Sequence, residues 1–71
     1  MDVVVKLKYN SKKQSIESFG NNRYLIYLNS GKEGQDAWNE LVALLSRKLG
    51  VPENRIELRR DSGDTKVFFV N

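Results

Sequence analysis

The sequence predicts an α+β fold, a two-layer ββαββ domain in which one main helix packs on one face of a four-stranded sheet. Three observations lead there. Four segments read as strands, the first with clear period-two alternation. One segment between them carries apolar residues at spacings of three and four. Short runs of Gly, Asn, Ser and Asp punctuate the joins. The 71 residues suffice for one domain, with no internal repeat, low-complexity tract or linker.

Residues 2–9 read as the first strand. Val3, Val5, Leu7 and Tyr9 fall on one face, and Val4, Lys6 and Lys8 on the other. Asn10 to Asn22 is a polar connection with a short extended piece around Ile16 and Phe19 that packs on the core. Residues 23–28 form the second strand, with Tyr24, Ile26 and Leu28 on one face and Leu25 and Tyr27 on the other. Residues 29–34, Asn-Ser-Gly-Lys-Glu-Gly, are turn formers.

The helix is expected from Asp36 to Leu49. Ala37, Trp38, Leu41, Val42, Leu44, Leu45 and Leu49 form a continuous apolar stripe. Asp36 suits the positive end of the helix dipole, and Arg47 and Lys48 suit the negative end. Gly50 stands where a left-handed residue terminates a helix, and Pro52 blocks continuation. Residues 54–60 form the third strand, with Ile56 and Leu58 inward and Arg55, Glu57 and Arg59 outward. Asp61-Ser62-Gly63-Asp64 is a turn, and residues 65–70 form the fourth strand, paired with the third as a hairpin. Two hairpins joined by a helix make one sheet, whose second face stays open to solvent.

Composition limits the chemistry. There is no Cys, so neither a disulfide framework nor a thiolate nucleophile is available. There is no His, the usual proton shuttle and nitrogen ligand. Triad hydrolysis, zinc chemistry and thiol redox chemistry are disfavoured, no cofactor is expected, and the balance leans away from an enzyme. The 39% hydrophobic fraction, seven aromatic residues and mean hydropathy of −0.56 describe a polar globular domain. No segment approaches the roughly 20 apolar residues of a membrane span. The start Met1-Asp2-Val3-Val4-Val5-Lys6 lacks the features of a signal peptide. A cytoplasmic monomer is the expectation.

Gly50-Val51-Pro52-Glu53-Asn54-Arg55-Ile56-Glu57-Leu58 resembles the Gly-Val-Pro-x-x-Arg-Val-Glu-Leu segment of the YggU-like family, a group of small proteins of unknown function. The resemblance runs along most of the chain. Tyr9 to Ile16 stands in place of the family's Pro-Lys-Ala-Ser loop, Gly34-Gln35-Asp36-Ala37 is similar to its Asp-Gly-Lys-Ala-Asn helix start, and Asp61 to Lys66 matches the stretch before its last strand. The chain departs from the family at Asn10, which replaces a proline, and at Trp38 and Asn39, which blur the helix start. The family's paired prolines before the helix are missing, and of its final Arg and Lys only Lys66 matches. The resemblance implies a two-layer α/β fold with a mixed sheet, hence a four-stranded mixed sheet here. It implies no activity.

Four surface features stand out. If Val3, Val5 and Leu7 face the helix, Lys6, Lys8, Arg55 and Arg59 point away from it, joined by Leu25 with Tyr27 or by Tyr24 with Ile26. Positive charge interleaved with an aromatic suits a single-stranded nucleic acid, RNA in particular, with Lys6, Lys8, Tyr27, Arg55 and Arg59 as its contacts. The competing reading is a solvated face whose lysines discourage edge pairing, the commoner origin of such a pattern. Lys12, Lys13 and Lys32, on loops at strand ends near the helix N-terminus, are candidates for holding a small anion. Against this, Ser30 and Glu33 have the spacing of a capping box. Asp61 and Asp64 flank Gly63 in a turn they are expected to stabilise, with no metal implied. Trp38 is expected in the core or at its rim. If exposed, Trp38, Tyr27 or Phe68 would instead suit a protein-interaction subunit.

Overall fold

The computed structural model describes all residues, Met1 to Asn71. Its elements are β1 (Asp2–Lys8), β2 (Ser15–Ser18), β3 (Arg23–Tyr27), α1 (Gln35–Leu49), a 3₁₀ turn (Glu53–Arg55), β4 (Ile56–Asp61) and β5 (Thr65–Val70). The strands form one mixed sheet in the order β2-β3-β1-β5-β4. The fold is α+β with one helix on one sheet face, as predicted, but the sheet has five strands rather than four.

The extra strand is the short extended piece in the connection after β1. Ser15 to Ser18 pairs antiparallel with β3, and Ile16 lies opposite Ile26. That register brings one apolar side chain to the helix side, where Ile16 packs against the core. Phe19, expected beside it, lies beyond the strand and is 55% exposed. The connection therefore places β1 parallel to β3, not in a hairpin with it. The 13 residues from Asn10 to Asn22 are long enough to cross β3, form the edge strand and return.

The helix begins at Gln35, one residue before the expected start, and ends at Leu49 as expected. Gly50 adopts the left-handed conformation at φ 69°, and its N–H donates to Ser46 O. The Ser46 hydroxyl donates onward to Val51 O at 2.6 Å. The N-terminal end differs from expectation: no side chain caps it, and the Ser30–Glu33 capping box does not form. Both residues are engaged elsewhere, Ser30 with Glu40 and Glu33 with Lys66.

Val3, Val5 and Leu7 point to the helix and are buried with Ile26, Leu28, Leu41, Leu45, Phe68 and Val70. Trp38 is half-buried at the rim, its ring 5.8 Å from that of Phe68. Phe68 is fully buried, which removes it as a contact residue. Leu58 shares the side of its partner Phe68 but is 41% exposed, so the inward position expected of it lacks cover. Arg55 belongs to the 3₁₀ turn and not to a strand. No helix is long and apolar enough to cross a membrane.

Candidate nucleic-acid interface

The face of the sheet turned away from the helix is built from alternate residues of each strand. Because Val3, Val5 and Leu7 are buried under α1, β1 presents Val4, Lys6 and Lys8 on that open face. Ile26 is buried, so β3 presents Arg23, Leu25 and Tyr27. Burial of Ile26 decides between the two sequence alternatives in favour of Leu25 with Tyr27. On β5, burial of Lys66, Phe68 and Val70 leaves Thr65, Val67 and Phe69 outward.

β4 carries a bulge between Leu58 and Arg60. Leu58 pairs with Phe68, Arg60 with Val67, and Asp61 with Lys66. The extra residue puts Arg60 on the open face next to Arg59, where strict alternation would have buried it. Arg59 lies over the Phe69 ring, its guanidinium carbon 4.5 Å from the ring centroid.

Of the five residues read from the sequence, Lys8 and Tyr27 are direct register partners, and Lys6 is beside Leu25. Arg59 joins the same face on the far side of β5. Arg55 stands outside the sheet in the 3₁₀ turn, where its carbonyl accepts from Asn71 N–H at 3.1 Å. Three contributors were missed. Phe69 was hidden, because Lys66 rather than Phe69 takes the buried side of β5; Arg23 follows from alternation along β3 and was legible. Arg60 was not, because only the bulge turns it outward.

The open face therefore holds five exposed bases, Lys6, Lys8, Arg23, Arg59 and Arg60, and three acids, Asp2, Glu17 and Glu57. Glu17 and Glu57 sit on the edge strands β2 and β4, and Asp2 at the start of β1. None of these eight is ion-paired; the salt bridges of the molecule are Lys66 with Glu33 and with Asp61. Between the charges lies a half-buried strip of Val4, Leu25, Tyr27, Val67 and Phe69. Tyr27 is level with Lys8 and Phe69 with Asp2, six residues along β1, or roughly 20 Å.

The second set of candidates is dispersed. The two loops do meet: Asn10 N–H donates to Ser30 O and Ser11 N–H to Leu28 O, both at 2.9 Å. Lys32 lines a polar hollow formed by residues 30–37, but Lys12 and Lys13 do not, and Glu33 and Asp36 share it. What the loops enclose instead is Glu40. Its carboxylate accepts from Asn29 N–H at 2.8 Å, Ser30 N–H at 3.1 Å, the Ser30 hydroxyl and Gln14 Nε2 at 2.9 Å. Burial alone would raise its pKa, but these bonds from Ser30, Gln14 and Asn29 outweigh it and hold the carboxyl below the usual glutamate range.

Lys66 is 4% exposed and has all three ammonium protons engaged, with Asp61 Oδ1 at 2.7 Å, Glu33 Oε1 at 2.9 Å and Gly63 O at 3.2 Å. Burial works against its charge, yet the bonds it donates to Asp61 and Glu33 prevail and raise its pKa above the lysine norm. Asp61 is correspondingly held low by Lys66, and it also accepts from Gly63 N–H at 3.1 Å, the turn-stabilising bond expected of it. No family model, curated protein or solved structure matches this chain.

Proposed function

We infer that the protein is a non-catalytic binding module that takes single-stranded RNA on its open sheet face, in the cytoplasm and as a monomer. The observation that carries this reading is the open face itself: five bases free of ion pairing around a half-buried apolar strip, with Tyr27 beside Lys8 and Phe69 beneath Arg59. The bases neutralise phosphates, and the Tyr27 ring offers a stacking surface to an unpaired base. The competing reading of a solvated face has Glu57 paired with a base across the strands, and Glu57 makes no ion pair. The resemblance at Gly50 to Leu58 supports membership of the YggU-like family, which we carry as part of this proposal.

Fluorescence anisotropy with a labelled mixed-sequence RNA tests the reading. Binding at low salt should weaken as salt rises, with a log–log slope of about −0.7 per phosphate contact. Lys8→Ala should flatten that slope by about the same amount, and Tyr27→Ala should weaken binding by about 1–3 kcal/mol. No binding at low salt contradicts it. A reproducible protein partner that survives nuclease treatment and binds through the open sheet face would favour an interaction subunit instead.

A further inference from the structure

On the helix side of the sheet, away from the open face, a cleft of about 150 Å³ lies between the first turn of α1, the end of β1 and the β4–β5 hairpin. Its walls are mostly apolar: Leu7, Tyr9, Ala37, Trp38, Leu41 and Leu58. The cleft exists because α1 leaves the inward-facing Leu58 uncovered. At its polar edge stand Glu33 and Asp61, with side chains 56% and 41% exposed. Each gives one oxygen to Lys66, while Glu33 Oε2 and Asp61 Oδ2 have no partner within the protein.

We propose that this cleft is an anchor pocket for an arginine side chain of a protein partner. Lys66 cannot serve an anion there, because its three protons are already spent on Glu33, Asp61 and Gly63 O. The two carboxylates and one ammonium leave the edge net negative. The same field bears on Tyr9, whose hydroxyl is pushed up first by burial and then by Glu33, with Asp61 and Asp64 adding to it against Lys66. The complementary group is a cation on an apolar stem. Its stem lies against Leu7, Leu41 and Leu58, and its head reaches Glu33 Oε2 and Asp61 Oδ2.

Arginine fits better than lysine. Its planar fork can donate to two acceptors at once, and it stacks on aromatic faces such as those of Trp38 and Tyr9. Size argues for one side chain rather than a whole ligand: small-molecule pockets run to about 300–1,000 Å³, and this cleft is half the lower figure. An isolated arginine seated in a small apolar pocket is a usual anchor of protein interfaces.

An NMR titration with the peptide acetyl-Gly-Arg-Gly-amide tests the assignment, read at the Trp38 indole N–H and the Leu58 methyls. We expect saturable shifts at millimolar peptide, none with the neutral isostere acetyl-Gly-citrulline-Gly-amide, and affinity at least fivefold weaker in Glu33→Gln. That variant keeps the Lys66–Asp61 bond, and the citrulline comparison needs no variant at all. Equal shifts with citrulline, or none with arginine, overturn the proposal. Tighter binding of free agmatine than of the peptide overturns the assignment to a protein partner.

Discussion

Lys66 and Asp61 are cross-strand partners joined at 2.7 Å, and they meet because the β4 bulge turns Asp61 to the helix side. Without the extra residue, alternation from Leu58 would point Asp61 at the open face and Arg60 inward. One irregularity thus delivers a carboxylate to a buried ammonium and a guanidinium to the open face. The two halves of the pair are unequal: Lys66 is buried, whereas Asp61 and Glu33 remain substantially exposed.

That inequality predicts an asymmetric response to mutation. Lys66→Met removes the buried charge and leaves two carboxylates that water can solvate, so stability should change by no more than about 1 kcal/mol. The double variant Glu33→Ala, Asp61→Ala strands the ammonium with Gly63 O alone and should cost clearly more. Urea unfolding midpoints at neutral pH measure both.

The pH response follows from the same groups. Glu40 and Asp61 have lowered pKa values in the folded state, so their contribution is complete above the ordinary carboxylate range and lost as pH falls through the folded values. Lys66 has a raised value, so its contribution is complete below about 10.5 and lost as pH rises beyond it. Thermal melts should show a plateau near neutrality with losses below about pH 4 and above about pH 10.5. Glu40→Gln should flatten the acid limb.

Glu40 fixes the loops to the helix. Its replacement by Ala removes the acceptor of Asn29 N–H, Ser30 N–H and Gln14 Nε2 together. The amides of Asn29 and Ser30 should then exchange with solvent faster, while those of β1 keep their protection. Hydrogen exchange resolved by residue checks this.

Gly50→Ala should destabilise the fold by about 1 kcal/mol, because φ 69° puts a Cβ in the left-handed region. No neighbour lies within 4 Å of that Cβ, so the cost is conformational rather than steric, and Gly50→Asn should cost less. Chemical denaturation of the two variants separates the effects.

The helix was legible from apolar residues spaced by three and four, and four strands from short apolar stretches bounded by turn formers. β2 carries too little signal to read as a strand, because only Ile16 in its four residues marks a buried face. The parallel β1–β3 pairing was hidden for a related reason: a polar connection carries no signal of which side it crosses. The open-face residues Lys6 and Lys8 could be read from alternation alone, whereas Tyr27 was one of two alternatives that the burial of Ile26 decides. Arg60, the loss of Arg55 from the sheet, and the Lys66 cluster depended on a bulge and a 3₁₀ turn, which periodicity cannot express.

The central claim is that the open sheet face receives single-stranded RNA, and side-chain shift mapping during an RNA titration tests it most directly. The account predicts that the methyls of Val4, Leu25 and Val67 and the rings of Tyr27 and Phe69 shift, while the methyls of Leu41 and Leu45 under the helix stay in place. Shifts confined to the helix or its cleft, or no shifts at low salt, would contradict it.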